Sequence, residues 1–567
     1  MATANALSIV RGTPLAEEPG LGILTISGYL RAVTARYAGR EAVVMHGAEQ
    51  AARWTYSDLW ERSVEVARAL LAAGMGKDSR VGVLMGNRPE FLAALFGVAL
   101  AGGVGVPLST FSTTAELEYL LQASAVSILL FEPRILNRDF AGSLAELEPA
   151  ILTALPGALL SPRFPFLRRL VTVGTGVQGG ALESWPDFLR CGGSVPPDLV
   201  EAAAATVQPS DSGMLFFSSG TTSRPKGILS AHRGVAIQLW RWPRIYDHIE
   251  GDIRCWPANG FFWSGVFGMA LGITFSYGGT LVLQHTFAPA EALNLIEAEQ
   301  VNLPLAWPHQ WSRLAEAPNW NQVDLRCVRY VERTSALARH PTIHSDWQEP
   351  RAYGVTETFT INVAYPASTP AHIVGDSYGQ PLPGNTLKIV DPLTGAVLPR
   401  GQRGEIAVKG PTLMRGYVGV PLDESLDTEG YYHTGDGGYV NDAGWLHWEG
   451  RLNDIIKTGG ANVSPVEVDI VLNTCPGIKV GQTVGVPHGT LGELVVACAV
   501  THDGVAVDEA TVRDFLRQRL ASYKVPRRVL FFREDELSMT GSAKVRAGAL
   551  RELAARRLQA EVQATAG

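Results

Sequence analysis

The chain has 567 residues, of which 46% are hydrophobic and 18% are charged. This length predicts several domains, or one large and one smaller domain, with a sizeable hydrophobic core. The formal net charge of −7 argues against a general nucleic-acid-binding protein, because such proteins carry a strongly basic surface.

The five cysteines are scattered without paired spacing. This pattern argues against a disulfide framework or a cysteine-rich zinc site, and it favours a reducing, cytoplasmic location. The N-terminus shows no secretory signal. The apolar run at 91–108 contains four glycines and Pro107, so we expect a buried helix followed by a loop or strand and no integral membrane span.

The first part of the chain alternates helix and strand signals. Thr55 can cap a helix that stops near Gly74. The predicted apolar face of that helix comprises Leu59, Ser63, Val66, Ala67 and Leu70. Residues 81–85 predict a strand, and the next helix begins at 87–90 with Pro89 in its first turn. This rhythm predicts a mostly parallel, buried sheet with helices on both faces.

The pattern changes after about Pro381. Short strands separated by Gly, Asp and Pro turns are predicted at 387–390, 404–408, Tyr439 and 445–448. A helix at 465–472, a strand at 494–500 and a helix capped by Asp508 follow. The predicted fold is α/β. A large N-terminal domain of parallel βα-layered sheets plus a small β section covers 1–450, and a smaller α+β C-terminal domain covers 455–567 after a linker at 451–454.

The most informative segment is 214–227, where an apolar strand runs into a turn rich in hydroxyl groups. The turn comprises Ser218, Ser219, Gly220, Thr221, Thr222 and Ser223. Glycine lets backbone N–H groups point inward and the hydroxyls add donors, which predicts a phosphate-binding nest. Lys226 adds a mobile positive charge, but it precedes Gly227, so this is not the nucleotide-binding P-loop pattern. The segment resembles the phosphate loop of the adenylate-forming superfamily, which includes acyl-CoA synthetases, peptide-synthetase adenylation domains and firefly-type luciferases.

Residues 353–357 resemble the adenine and magnesium motif of that superfamily. The resemblance implies that Tyr353 stacks on adenine and that Gly354 permits close backbone approach. It also implies that Thr356 donates to a phosphate and that Glu357 is the Mg²⁺ ligand. Residues 432–436 resemble the ribose-binding turn, in which the Asp436 carboxylate accepts hydrogen bonds from ribose hydroxyls. His433 is interpreted as a turn residue.

Residues 450–467 resemble the hinge and coenzyme A loop of the same family. The resemblance implies that Arg451 reaches ribose or phosphate and that a mobile C-terminal domain rotates about Asn453. Lys457, Gly459 and Gly460 are expected to contact coenzyme A, the glycines leaving room for the pantetheine arm. Lys544 resembles the catalytic lysine near the C-terminus.

The resemblance implies a ligase that activates a carboxylic acid with ATP and Mg²⁺ and transfers the acyl group from acyl-AMP to coenzyme A. The predicted catalytic residues are Lys544, Thr222 and Glu357. Three alternatives are left open: transfer to a carrier-protein thiol, a luciferase-like oxidoreductase, and a non-catalytic nucleotide-binding protein. The expected partner is a small-molecule acid, and a homodimer is left open.

Residues 259–267 resemble the segment that lines the family's acyl pocket. Phe262, Trp263 and Phe267 suit an apolar tail or ring, although ordinary core packing explains them equally well. Residues 332–335 stand where relatives often have a small-residue run along the acyl slot. The predicted substrate is a medium- or long-chain fatty acid, or an alicyclic or aromatic acid.

Overall fold

The computed structural model describes residues 6–47, 51–174, 179–218, 225–458, 461–520, 522–537 and 547–566. Its α-helices are α1 (Ile26–Arg36), α2 (Tyr56–Ala72), α3 (Pro89–Leu100), α4 (Thr114–Ser124), α5 (Phe140–Leu147), α6 (Trp185–Cys191), α7 (Pro197–Ala205), α8 (His232–Ile245), α9 (Ser264–Phe275), α10 (Pro289–Ala298), α11 (Pro308–Ala315), α12 (Ala371–Val374), α13 (Pro465–Leu472), α14 (Glu509–Arg517) and α15 (Ala547–Ala566). Its strands are β1 (Ile9–Arg11), β2 (Glu41–Met45), β3 (Ala52–Thr55), β4 (Arg80–Leu84), β5 (Val104–Pro107), β6 (Ile128–Phe131), β7 (Arg134–Ile135), β8 (Arg138–Asp139), β9 (Arg169–Thr172), β10 (Leu182–Ser184), β11 (Ser212–Phe217), β12 (Gly227–Ala231), β13 (Arg254–Pro257), β14 (Thr280–Leu283), β15 (Leu303–Leu305), β16 (Ala352–Tyr353), β17 (Val363–Ala364), β18 (Gln380–Pro381), β19 (Thr386–Val390), β20 (Gly404–Lys409), β21 (Gly416–Tyr417), β22 (Tyr432–Val440), β23 (Leu446–Arg451), β24 (Ile456–Thr458), β25 (Ala461–Val463), β26 (Ile478–His488), β27 (Gly492–Thr501) and β28 (Arg528–Phe531).

Two largely parallel sheets form the body of the N-terminal part. One has the order β10-β9-β6-β4-β5-β11-β12-β21 and is parallel from β10 to β11. The other has the order β15-β13-β14-β2-β3 and is parallel except for the β2–β3 pair. Parallel strands need helical crossovers, which the helices between these strands supply. The predicted parallel α/β architecture is confirmed.

The helix starts predicted from capping residues are also found. Thr55 and Asp58 form a reciprocal capping box at α2, which satisfies backbone donors that would otherwise lack partners. The apolar face predicted for α2 is buried. The run at 91–108 forms the buried helix α3 and strand β5, as expected. Within the described residues, no helix is both long and apolar enough to cross a bilayer.

The small β-rich section is an antiparallel sheet with the order β1-β19-β20-β22-β23. Residues 432–436, interpreted from the sequence as a turn, lie instead in the nine-residue strand β22. The turn interpretation was wrong because Gly435, at a φ of +71°, kinks the strand without ending it. The β20–β22 register shifts at this point, as in a β-bulge.

The C-terminal part has its own sheet, in the order β25-β24-β27-β26, with β28 parallel to β27. Strand β23 of the N-terminal part ends at Arg451, a 3₁₀ turn covers Leu452–Asp454, and β24 begins at Ile456. The change of sheet therefore falls at the predicted linker 451–454, whereas its role as a hinge stays a prediction. Helix α13 spans the predicted 465–472.

Candidate active site

The predicted phosphate loop connects two antiparallel strands, β11 and β12. At its base, the backbone N–H of Ser218 donates to the carbonyl of Lys226 at 2.9 Å, and the N–H of Lys226 donates to Ser218 Oγ at 3.1 Å. Lys226 is exposed and Ser218 is half-buried. The remaining predicted loop residues, Ser219, Gly220, Thr221, Thr222 and Ser223, lie outside the described residues.

Glu357 lies in a one-turn 3₁₀ helix, Thr356–Thr358, which begins two residues after Gly354. A Cβ on Gly354 would lie 1.8 Å from the carbonyl oxygen of Thr360, so only glycine fits here. Gly354 therefore permits a close backbone approach, as the sequence predicted, and the group that approaches it here is the chain's own Thr360 carbonyl. Thr356 is half-buried in the same turn.

The chain folds back sharply after Glu357. Phe359 and Thr360 have φ values of +45° and +88°, a region that side-chain-bearing residues rarely occupy. Buried Gln238 of α8 donates from Nε2 to the carbonyls of Thr358 (3.1 Å) and Ile361 (2.6 Å). These two hydrogen bonds, together with the buried Phe359 side chain, hold the strained backbone beside Glu357.

Tyr417 joins the phosphate loop to Glu357. Its phenol donates to Glu357 Oε1 at 2.7 Å, and Lys226 Nζ lies 4.7 Å from its ring centroid. A second phenol, Tyr432, lies 2.8 Å from the Tyr417 oxygen. Tyr432 begins β22, the strand that carries Asp436.

Asp436 is buried, with 3% of its surface exposed, and burial raises the pKa of its carboxyl group. Its Oδ2 accepts a hydrogen bond from the Tyr353 phenol at 2.8 Å, and its Oδ1 forms an ion pair with Arg451 Nε at 3.1 Å. Arg451 Nη1 also donates to the carbonyl of Thr434 at 2.7 Å. The predicted adenine, ribose and hinge motifs therefore meet at one carboxylate.

Glu405 of β20 holds the bulge next to Asp436. Its Oε1 accepts the backbone N–H of Gly435 at 2.9 Å, and its Oε2 lies 3.0 Å from His433 Nδ1. The other ring nitrogen of His433 lies 3.4 Å from Asp427 Oδ2. His433 is thus a strand residue between two carboxylates rather than a turn residue.

These residues fit the groups that the sequence predicts. Asp436 Oδ1 pairs with Arg451 but accepts no well-aligned hydrogen bond within the described residues, so a lone pair remains that can accept a ribose hydroxyl. Tyr417 occupies only Oε1 of Glu357, which leaves a hard oxygen ligand for Mg²⁺. The described residues hold no cluster of three His, Cys, Asp or Glu side chains that would form an all-protein metal site. Mg²⁺ commonly uses one or two carboxylates together with substrate phosphates, and Glu357 suits that arrangement.

A cleft of about 1460 Å³ opens between the N-terminal and C-terminal parts. Its N-terminal wall is rich in aromatic side chains, including Tyr246, Trp307, Trp311, Tyr330 and Trp347. The ring of Trp347 lies 5.3 Å from that of Tyr246 and 6.0 Å from that of Tyr330. Residues 332–335, predicted to follow the acyl slot, and Arg351 also line the cleft.

None of the three predicted acyl-pocket aromatics lines this cleft. Phe262 packs 5.8 Å from Phe111, and Trp263 stands next to it, 5.2 Å away. Phe267 is 1% exposed and packs against Phe216 and Phe359 in the main core. Their role in acyl binding stays a prediction.

The predicted coenzyme A residues are described only in part. Lys457 is exposed on β24, and its backbone N–H donates to Glu493 Oε2 at 2.8 Å. Asn453 lies in the Leu452–Asp454 turn, and its side chain is outside the described part, as are Gly459, Gly460 and Lys544.

Tyr417 and Gln238 were not found from the sequence, and Tyr432 was found only as part of the 432–436 motif, without a role of its own. Tyr417 and Glu357 are 60 residues apart, and no local motif links them. Gln238 is a polar residue inside an otherwise apolar stretch of α8, and that buried position was the one available signal.

Comparison with known proteins identifies the family of the chain. Residues 30–418 match the AMP-binding enzyme family, and residues 467–544 match the AMP-binding enzyme C-terminal domain. The chain is 30% identical to feruloyl-CoA synthase of an Amycolatopsis species, over 91% of this chain and 96% of that protein. It is also 31% identical to a Mycobacterium tuberculosis enzyme, 3-[(3aS,4S,7aS)-7a-methyl-1,5-dioxo-octahydro-1H-inden-4-yl]propanoyl:CoA ligase. That match covers 88% of this chain and 94% of that protein.

The fold is likewise shared with solved structures. The anthranilate CoA ligase AuaEII in complex with anthranoyl-AMP superposes with a TM-score of 0.79. The match covers 97% of this chain and all 100% of that one at 23% identity, which is a likeness of fold. The resemblance drawn from the motifs is confirmed: the chain belongs to the AMP-binding enzyme family, among its adenylate-forming acyl-CoA synthetases.

Proposed function

We propose that this protein activates a bulky, ring-bearing hydrophobic carboxylic acid with ATP and Mg²⁺ and forms the coenzyme A thioester through acyl-AMP. The observation that carries the proposal is the convergence of three groups: Lys226 and Glu357 both contact Tyr417, whose phenol meets Tyr432 on the strand that carries Asp436. Groups suited to phosphate, metal and ribose therefore lie near one another, although they come from three separate segments.

In the adenylation step the acid carboxylate attacks the α-phosphorus of ATP, and pyrophosphate leaves. Negative charge shifts among phosphate oxygens, so catalysis depends mainly on positioned cations and hydrogen-bond donors. Lys226 and the N–H and hydroxyl donors of residues 218–223 bind the phosphates, and Thr356 donates to one of them. Asp436 and Arg451 hold the ribose. Glu357 would hold Mg²⁺, which neutralises phosphate charge when bound.

In the second step the thiol of coenzyme A displaces AMP from the acyl-adenylate, which needs no protein nucleophile. Lys457, Gly459 and Gly460 are proposed to contact coenzyme A after the C-terminal part turns about Asn453. Such gating also protects a hydrolysable intermediate from water.

The proposed class of acid is inferred from the aromatic residues that line the cleft. Aromatic side chains supply large, rigid contact areas that suit a ring system better than a flexible chain. The relatives described above are named for acids with a feruloyl or an indene-derived ring system. Glu332 and Arg333 in the cleft wall give such an acid polar groups to contact.

The direct test measures pyrophosphate release with a panel of phenylpropanoid, indole, alicyclic and C6–C16 fatty acids, followed by mass analysis of the products with coenzyme A. We expect the ring-bearing acids to give the largest kcat/KM and a coenzyme A thioester. No pyrophosphate with any acid would overturn the function. Pyrophosphate without a coenzyme A thioester would instead indicate a carrier-protein acceptor.

The role of Lys544 is tested by separating the half-reactions. Lys544→Ala should lower adenylation at least 100-fold, yet change thioester formation from preformed acyl-AMP less than about threefold, because a positioned cation acts on the phosphate charge. Lys409→Ala is the matched control, since that lysine donates to the carbonyl of Glu429 outside the cluster. Equal losses in the two half-reactions would contradict the role.

A further inference from the structure

Tyr417 has its backbone anchored to the strand that leaves the phosphate loop. Strand β21 pairs with β12, so that Tyr417 stands opposite Ile228. The N–H of Val418 donates to the carbonyl of Gly227 at 2.8 Å, immediately beside Lys226. Backbone hydrogen bonds therefore attach Tyr417 to the strand at the base of the loop.

The side chain of Tyr417 stands between a cation and a carboxylate. Its ring faces Lys226 Nζ at 4.7 Å, and its phenol donates to Glu357 Oε1 at 2.7 Å. The ring thus offers Lys226 a weak cation–π contact, while the phenol of the same side chain contacts the Glu357 carboxylate.

The number of phenol protons determines which of Tyr417 and Tyr432 donates to the other. A phenol has one proton, which Tyr417 gives to Glu357. The 2.8 Å contact between the two phenols therefore requires Tyr432 to donate to the Tyr417 oxygen. An ordinary tyrosine phenol has a pKa of about 10, so both phenols carry their proton at neutral pH.

We infer that Tyr417 is a positioning residue that orients the Glu357 carboxylate toward the metal and keeps Lys226 available for phosphate. The inference rests on the proposed function of Glu357 as the Mg²⁺ ligand. Hydrogen-bond partners of a ligating carboxylate fix its orientation, and their loss typically weakens metal binding by about 10–100-fold. The backbone of Tyr417 contacts the strand that leaves the loop, and its side chain contacts the proposed metal ligand.

The test uses Tyr417→Phe, which keeps the ring over Lys226 and removes the phenol. Mn²⁺ binding to the full-length enzyme is measured by electron paramagnetic resonance with α,β-methylene-ATP present, and pyrophosphate release is titrated with Mg²⁺. We expect at least a 10-fold weaker Mn²⁺ affinity and a matching rise in half-saturating Mg²⁺, with activity recovering at high Mg²⁺ and no change in the KM for coenzyme A.

Tyr439→Phe is the matched control, because Tyr439 lies on β22 away from Glu357 and stacks on His447 at 4.5 Å. It should keep the wild-type metal dependence. The double variant Tyr417→Phe/Glu357→Gln should bind Mn²⁺ no more weakly than Glu357→Gln alone, since the phenol acts through that carboxylate.

Two results would overturn the inference: a Mn²⁺ affinity of Tyr417→Phe within twofold of wild type, or additive losses in the double variant. Both measurements read metal binding rather than turnover. If the wild-type enzyme bound Mn²⁺ and nucleotide but activated no acid, the proposed function would be refuted. The effect of Tyr417→Phe on Mn²⁺ affinity would still test the inference about Tyr417.

Discussion

Tyr353 and Asp436 are joined by a 2.8 Å hydrogen bond from the phenol to carboxylate Oδ2. The segment expected to contact adenine therefore orients the carboxylate expected to contact ribose. Burial of both side chains, at 5% and 3% exposure, strengthens the bond because little water competes for it. One half of the predicted nucleotide site is consequently held together by the protein's own hydrogen bonds.

Removing this phenol should weaken nucleotide binding. A hydrogen bond to an ionised group contributes about 1.5–3 kcal/mol, so Tyr353→Phe should raise the KM for ATP about 10-fold while the remaining ring preserves stacking. Steady-state kinetics with varied ATP measures this. Tyr378→Phe is the control, since its ring packs 5.8 Å from Trp448, the neighbour of Tyr353 at 6.2 Å. Equal KM values in the two variants would show that the bond does not orient Asp436.

Gly354→Ala should disrupt the turn that carries Glu357. The added methyl group would lie 1.8 Å from the Thr360 oxygen and 2.6 Å from Ile361 Cα, so backbone must move. Overpacking of this kind costs about 1–3 kcal/mol, and we expect a lower melting temperature with adenylation reduced at least 10-fold. Calorimetry and pyrophosphate release measure the two effects.

Gly265→Ala is the control for that experiment. Gly265 lies in α9, and a Cβ there would meet nothing within 4 Å. Alanine is favoured over glycine in a helix by about 1 kcal/mol, so this variant should be as stable as wild type or slightly more stable. If both glycine variants lose stability and adenylation activity equally, the close contact between residue 354 and Thr360 does not explain the loss.

Local signals predicted the parts of the fold that depend on neighbouring residues. Thr55 stands directly before an apolar helical pattern, so its capping role could be predicted, and the start of α13 followed from Pro465. The phosphate, adenine and ribose motifs were also short enough to recognise. The strand through Gly435 was missed because a bulge residue and a turn residue look alike in sequence.

Contacts between distant segments could not be predicted in this way. Nothing near Tyr417 indicates that its phenol meets Glu357, because the contact depends on β21 pairing with β12. The aromatic wall of the cleft likewise combines Tyr246 at the end of α8 with Trp347 from a loop about a hundred residues later. Only the tertiary structure brings such residues together.

An ion pair links the two parts of the chain in this arrangement. Lys479 of β26, 7% exposed at its side chain, lies 2.8 Å from Glu316 of the N-terminal part and 3.1 Å from Glu534 of its own part. Burial alone lowers the pKa of Lys479, but the hydrogen bonds to the two carboxylates raise it overall, so the charge is retained.

Glu316→Gln should therefore loosen the contact between the two parts. Ion pairs with exposed carboxylates contribute up to about 1 kcal/mol, which predicts about fivefold faster proteolysis within 451–458. Glu534→Gln is the matched control, because it removes a partner of Lys479 that lies on the same side of the linker. Equal cleavage rates for the two variants would contradict a link between the parts.

Asp469 of α13 should make stability depend on pH. Burial raises the pKa of its carboxyl to about 7, and hydrogen bonds from Thr483 only partly oppose this. An unfolded Asp has a pKa near 3.9, so between about pH 4 and pH 7 the folded chain keeps a proton that the unfolded chain has lost. The stabilisation is complete below about pH 4 and is lost as the pH rises through 7.

Asp469→Asn removes this titration while its amide oxygen can still accept the N–H of Thr483. The melting temperature of the variant should fall less than that of wild type between pH 5 and pH 8, as measured by calorimetry across that range. Asp508→Asn is the control: Thr511 hydrogen bonds lower the pKa of Asp508, so its stabilisation is lost only below this window. If the melting temperatures of wild type and Asp469→Asn changed equally with pH, the Asp469 carboxylate would be charged in the folded protein throughout this range. A group with the same pKa in the folded and unfolded states does not make stability depend on pH.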